Sequence, residues 1–398
     1  MLPTSPEQPS LEIGDRVPDM GWIDAAGKRV SLAQSAYAGR LSVLFVCAAA
    51  GAGGAARNLA KFRDLYDQFH ALDVQLFAIT SEPAPANLAT AERLGLPFPV
   101  LADAGFTAGR ALGLAESGAP ASARSKGAAK SKGAAKSKRK AGAACTLIVD
   151  PNQRILKRIA PAGEGKHAVP ALAACEKWAS ARSAVVVAMQ APVLLVPNVL
   201  GKEHCARLIR LWETGDRYEG GVANAEYGRN VPVSQVKVRG DVALPDLGPE
   251  AQEMFAIFRR RLFPEIQKAH NFRVTRAETL RLGCYEAADG GHFIPHRDDT
   301  TPYTAHRRFA MSLNLNTGDY EGGYLRFPEY GPQLYQPEVG GAVVFSCSLL
   351  HEATRVTSGR RFVLLGFFYG EAEQALRDRI AAERKAGGAG SPASRPVR

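Results

Sequence analysis

Over the first 180 positions, hydrophobic residues fall into short apolar runs separated by stretches of helical period. Residues 41–47 (LSVLFVC) form a continuous apolar, β-rich run, the mark of a buried strand. The stretch RNLAKFRDLYDQFHAL then places Leu59, Phe62, Leu65, Tyr66 and Phe69 at helical spacing. DVQLFAIT (73–80) predicts a second strand, NLATAERLGL a helix, and FPVLAD a strand with its turn. CTLIVDPNQRILKRI (145–159) predicts two strands, with Asp150, Pro151 and Asn152 making the turn between them. A helix from about His167 to Arg182 closes the unit. Strands alternating with helices predict an α/β domain, its central sheet flanked by helices.

The texture changes after a linker near 183–190. APVLLVPNVLGKEHCARLIRLWETG predicts a strand, a turn and a helix, and a second helical stretch is bent or divided at Pro264. Beyond Phe272 come short β segments with glycine-rich turns: RAETLRLGCYE, GGHFIPH, RRFAMSLNLN, GGYLRF, GGAVVFS and RRFVLLGFFYG. Such a series predicts a β-sandwich or jelly roll. The expected organisation is therefore one domain over 1–182, a second over 190–371, and a charged helix with a tail over 372–398.

Net charge changes this picture only locally. The chain carries a formal +11, but RSKGAAKSKGAAKSKRK (124–140) supplies eight basic residues and no acidic one, leaving +3 for the rest. The segment lies in an insertion of about 118–143 with nothing apolar enough to pack, so a solvated loop is expected. Its alternative use is as a tether for nucleic acid or an acidic partner. No aromatic residue interleaves the lysines, so a base-stacking platform is not supported. The six cysteines are scattered without paired spacing, which predicts buried reduced thiols and neither a disulfide framework nor a zinc site. No signal-like or spanning apolar run is present, so a cytoplasmic location without a membrane partner is expected.

The chemistry concentrates between Gly290 and Arg361. His296 and Asp298 stand two residues apart, and in a strand such positions share a face. His351 arrives 55 residues later, and the three together make a 2-His-1-carboxylate set of the kind that holds non-haem Fe(II) with open coordination positions. Arg361 follows His351 by ten residues on the last strand, where a guanidinium can grip a carboxylate. Tyr285 lies upstream on RLGCYE, and GDYEGGYLRF supplies the turn and strand between the histidines.

Together these residues resemble the Fe(II)/2-oxoglutarate-dependent dioxygenases of the prolyl 4-hydroxylase type, over roughly 190–370. The resemblance implies a double-stranded β-helix (jelly-roll) domain with flanking helices. It also implies His296, Asp298 and His351 as iron ligands, Arg361 as the partner of the distal 2-oxoglutarate carboxylate, and Tyr285 as a hydrogen-bonding group for the co-substrate. The implied reaction consumes 2-oxoglutarate and O₂, releases succinate and CO₂, and hydroxylates a peptidyl proline or a small molecule, with ascorbate as reductant. Some positions stand apart from the pattern. Arg355 occupies a place where proline is frequent, and Arg360 is expected to be a solvated neighbour of Arg361. His292 is expected to support the site without joining the ligands, while Arg297 and Asp299 point away if the strand is regular.

The first domain resembles the peroxiredoxin branch of the thioredoxin-like fold, on IGDRVPD, FRDLYDQFHALDVQLFAITSE, RLGLPFPVLAD and TLIVDPNQRI. That family places a peroxidatic cysteine at a helix N-terminus. Here the position falls at or near Ala55 and the preceding hydroxyl position near Ala52, while Cys47 comes several residues early in the strand. A degenerate domain used for docking or homodimer formation is expected. The competing functions are a thiol oxidoreductase and a non-catalytic binding protein acting through the basic insertion.

Overall fold

The computed structural model describes residues 11–34, 36–51, 53–114, 144–160, 165–182, 184–219 and 233–388. The basic segment 124–140 and the positions of Ala52 and 389–398 lie outside them. The chain divides into two compact units, one spanning Pro6–Val185 and the other beginning at Val186.

In the first unit the apolar runs become the centre of a seven-stranded sheet. Its order is Arg29–Val30, Trp22–Ile23, Val100–Ala102, Gln75–Thr80, Ser42–Val46, Cys145–Val149 and Ile155–Ile159. Ser42–Val46 pairs in parallel with Gln75–Thr80 and antiparallel with Cys145–Val149. Because successive side chains alternate faces, Val43 and Phe45 enter a different core from Leu44 and Val46. Burial on both faces explains why the strand reads as an unbroken apolar run. Leu59 and Phe62 of helix Gly53–Asp64 and Ala171, Leu172 and Cys175 of helix Ala168–Ser180 cover the first core. The single helix expected over 57–72 is two, Gly53–Asp64 and Tyr66–Ala71, parted at Leu65. Leu65 and Tyr66 pack against the same core from either side of the break, which is why periodicity alone runs through it. This is the thioredoxin-like α/β arrangement.

The second unit is a jelly roll of two sheets. The larger has the order Leu194–Val196, Ala342–Ser346, Phe309–Asn314, Val356–Tyr369, Arg281–Glu286, Gly240–Ala243 and Tyr218–Glu219 along its main path. The smaller runs Lys237–Val238, His292–His296, His351–Ala353, Leu325–Arg326 and Leu334–Tyr335. Helices Lys202–Thr214, Pro249–Arg261 and Phe263–His270 bury Leu208, Trp212, Met254, Phe258 and Ile266 against the large sheet. Pro264 divides the helical stretch instead of bending it. Pro249–Arg261 ends before Leu262, and Phe263–His270 begins with the proline in its first turn, where the missing N–H costs nothing.

A buried ion cluster fixes the segment that runs from the site into the next strand. Glu278 accepts two hydrogen bonds from Arg307, at 2.7 and 2.8 Å, and lies 2.9 Å from His306 Nε2. Burial alone would raise the Glu278 carboxyl, but His306 and Arg307 outweigh it and hold the group at about 2. Its folded value lies below the ordinary 4.5, so the stabilisation is complete above that pH and is lost as pH falls through about 2. Glu278→Gln should therefore lower stability at pH 7 by on the order of 3 kcal/mol. In denaturant titrations the gap between wild type and variant should close as pH is taken from neutral towards 2.

All six cysteines are buried and free. Burial pushes the thiols of Cys47, Cys175, Cys205 and Cys284 up to about 12, and raises those of Cys145 and Cys347 as well. A thiol-specific chromogenic reagent at neutral pH should label none in the native protein and all six after denaturation.

Candidate metal centre

His296 and His351 sit directly opposite one another on adjacent antiparallel strands of the small sheet. Cross-strand neighbours of this kind bring their side chains within contact distance however far apart they are in sequence. Their ring centroids are 4.3 Å apart. Asp298 comes to the same point by another route than the strand spacing predicts. The strand ends at His296, and Asp298 lies beyond it in a bend whose position is set by its backbone N–H donating to the Cys347 carbonyl at 2.9 Å. His296 Nε2 lies 3.6 Å from Asp298 Oδ1, and His351 Nε2 lies 3.4 Å from Oδ2.

The donor chemistry of the three fits a divalent metal. His296 Nδ1 lies 2.8 Å from the Ile294 carbonyl and His351 Nδ1 lies 3.0 Å from that of Leu349. A carbonyl only accepts, so each Nδ1 donates to it and each Nε2 is the ring nitrogen turned to Asp298. Burial pulls His351 down to about 4, against the pull of Asp298, so its ring is neutral at pH 7. Burial would raise Asp298, but His351 and His296 beside it hold the carboxyl at about 2, so it is ionised. One ligand atom from each residue lies within 4.8 Å of the others, and among the described residues this is the group of such side chains able to hold a metal ion.

The site opens into a cavity of about 200 Å³ between the two sheets. Arg361 enters it from the large sheet, where it stands opposite Tyr285. Its side chain is 2% exposed, yet its partners are neutral: Nη2 donates to Ser312 Oγ and Asn314 Oδ1, both at 3.1 Å, and the Tyr285 ring lies 5.3 Å away. Its Nε has no hydrogen-bond partner. Room for this side chain is made by Gly323, where a Cβ would come within 2.9 Å of Arg361 Cδ and where φ is +61°. Strand parity sends Arg360 the other way, to an exposed pair with Glu213 at 3.0 Å.

The remaining expected residues are placed as follows. His292 lies outside the group of three; its ring nitrogens lie 2.8 Å from the Gly290 carbonyl and 3.4 Å from that of Gln235. Arg297 does not simply point away, because the strand has ended before it. It lines the cavity and pairs with Glu329 at 2.7 Å. Asp299 accepts a hydrogen bond from Ser348.

Two cavity residues, Lys237 and Arg239, escape the motif reading, as does the Asp241 behind them. The chain passes from the small sheet (Lys237–Val238) to the large one (Gly240–Ala243) at Arg239. Arg239 grips the fully buried Asp241 through both carboxylate oxygens, at 2.6 and 2.9 Å, and donates to the Tyr285 hydroxyl at 3.1 Å. The Tyr285 oxygen thus accepts from Arg239, and its own proton is left for another acceptor. The signal in the sequence is the alternation K-x-R-x-D over 237–241, which an extended segment turns to one side.

In the first unit, Ala55 lies inside the helix Gly53–Asp64 and Cys47 lies buried just past the strand Ser42–Val46. No described residue presents a thiol at a helix N-terminus there.

Comparison with known proteins gives the same division. Residues 13–158 match the AhpC/TSA family and residues 280–369 the 2OG-Fe(II) oxygenase superfamily. A PKHD-type hydroxylase of Saccharophagus degradans is 29% identical over 190 residues, covering 44% of this chain and 77% of its own. A PKHD-type hydroxylase of Beijerinckia indica subsp. indica is 25% identical over 202 residues, covering 47% of this chain and 80% of its own. Among solved structures, peroxidoxin BcpB from Mycobacterium tuberculosis is 24% identical, with 44% of this chain and 99% of that one covered and a TM-score of 0.34. A Trichoplax adhaerens prolyl hydroxylase is 18% identical, with 46% and 86% covered and a TM-score of 0.38. No helix among the described residues is long and apolar enough to cross a membrane. The chain joins an N-terminal AhpC/TSA (peroxiredoxin-like) domain to a C-terminal 2OG-Fe(II) oxygenase domain, and is a 2-oxoglutarate-dependent oxygenase.

Proposed function

We propose that His296, Asp298 and His351 hold Fe(II), that Arg361 and Tyr285 hold 2-oxoglutarate, and that the enzyme hydroxylates a C–H bond of its substrate with release of succinate and CO₂. The observation that carries this reading is one cavity shared by two kinds of group. It holds two imidazole Nε2 atoms and a carboxylate set for a metal, and a buried guanidinium that has no carboxylate of its own among the described residues. Bound at the three ligands, Fe(II) supplies activation of O₂ coupled to oxidative decarboxylation of 2-oxoglutarate, and through it the oxidation of the C–H bond.

The protein's own contribution is positioning. The Nδ1 contacts to the Ile294 and Leu349 carbonyls keep both rings from rotating, so the ligand face is formed before any metal arrives. Arg361 offers charge and a hydrogen-bond fork to a carboxylate, and its neutral neighbours leave that charge unspent. Tyr285, braced by Arg239, aims its proton at the same co-substrate. The packed sheets on either side keep bulk water from the reacting centre.

Two measurements bear on the assignments. His351→Ala should abolish turnover through loss of iron, read as less than a tenth of the wild-type metal content by elemental analysis after dialysis. Arg361→Ala should leave iron content intact and weaken 2-oxoglutarate by roughly 30-fold or more, since truncating one member of a buried charge pair costs about 2–5 kcal/mol. Anaerobic titration of the metal-to-ligand charge-transfer band measures this affinity, and an unchanged value in the variant would remove Arg361 from the co-substrate site.

A further inference from the structure

The cavity holds a second cation that neither the metal nor the co-substrate engages in the reading above. Lys237 lines it from the small sheet, next to Phe293, whose ring stacks on His296 at 3.5 Å. Its side chain is 4% exposed. An ammonium has three protons to place. Its nearest acidic atom, Asp241 Oδ2, is 3.6 Å away, beyond hydrogen-bond reach, and both oxygens of that carboxylate are already held by Arg239. Its other contact is the face of Phe293 at 5.8 Å, which accepts no full hydrogen bond. A buried ammonium in this state is costly unless something in the cavity completes its shell.

The charge balance of the cavity points the same way. Arg297 and Arg307 each have a bidentate carboxylate, Glu329 and Glu278, and Arg239 has Asp241. Arg281, 3.6 Å from the Glu278 that Arg307 already holds, has its side chain a third exposed to water, which leaves Arg361 and Lys237 as the buried cations without a close carboxylate among the described residues. They enter from opposite sheets, and each lies against its own aromatic ring, Tyr285 for Arg361 and Phe293 for Lys237. The distal carboxylate of one co-substrate answers Arg361. Lys237 shares the carboxylate of Asp241 with Arg239, and a second anion beside it would complete its shell on the His296 side of the cavity, where a substrate's C–H bond has to be presented.

Resting on the oxygenase reading, we infer that the substrate carries a carboxylate and is held through it by the Lys237 ammonium. Lys237 is thus a specificity-determining residue that turns the substrate towards the metal without taking part in binding 2-oxoglutarate. A free acid and the carboxylate of a peptide side chain would satisfy the ammonium equally, so the test separates them.

The probes are a panel of free L-amino acids and their amides, together with end-capped tripeptides carrying Asp or Asn. Binding is followed by anaerobic calorimetry on the full chain loaded with Fe(II) and 2-oxoglutarate. At least one acid should bind tenfold or more tighter than its amide, and in Lys237→Met that preference should fall to within twofold. The 2-oxoglutarate affinity of the variant should stay within twofold of wild type, which also reports that the site is folded. If the largest preference is among the free acids the substrate is a small molecule, and if among the Asp peptides it is a polypeptide; either supports the ammonium's role. Absence of any acid preference in the wild type, its persistence in Lys237→Met, or a loss of 2-oxoglutarate affinity in the variant would overturn the inference. Failure of the wild type to bind 2-oxoglutarate at all would instead overturn the oxygenase reading on which it rests.

Discussion

The register between two short strands governs the second domain. His292–His296 and His351–Ala353 pair so that His296 faces His351 across the ladder. A slip of one residue would turn one ring to the other side of the sheet and separate the two nitrogens. The bulge between Phe293 and His296 belongs to the same device, since irregularities of this kind re-aim a side chain at a strand's end. The rest of the domain serves that register. The large sheet and its three helices supply the apolar core on which the small sheet is laid. The Glu278 cluster fixes the chain where it leaves the site, and the Asp298 N–H bond to Cys347 closes the bend.

Much of this was legible from residue order, because it depends on patterns that survive without coordinates. The apolar run at 41–47 predicts a buried strand, and the structure buries it on both sides, with Val43 and Leu44 entering different cores. The spacing of Arg361 from His351 predicts its strand, and its parity against Arg360 follows from the pleat. Where the reading failed, a non-local contact decides the geometry. Asp298 shares a focus with His296 through a bend tied to Cys347, not through strand alternation, so the parity argument for Arg297 had no strand to act on. Lys237 and Asp241 lie on elements of two and four residues with Arg239 between them, too short for periodicity to register, at a crossing between sheets that only the fold reveals. The break at Leu65 leaves the apolar face continuous and is therefore silent in the sequence.

The two domains use burial to opposite chemical ends. In the first, burial keeps Cys47 protonated and inert, and the helix that follows presents alanine where a reactive thiol would stand. In the second, burial keeps His351 neutral, which is the state a metal requires, while the buried Arg361 guanidinium stands among neutral partners. The same desolvation cost suppresses one reactivity and prepares another, according to whether the group works in its neutral or its charged form.

Gly323 gives the Arg361 pocket an evolutionary boundary. Because its backbone is left-handed and a Cβ would meet both Val356 and the stem of Arg361, every L side chain at this position strains the turn and displaces the guanidinium. A guanidinium pocket that is set by the lack of a side chain cannot be tuned by small steps at that position. Change in the pocket has to begin elsewhere along the wall, at Ser312, Asn314 or Tyr285, which touch the guanidinium without defining the room it occupies.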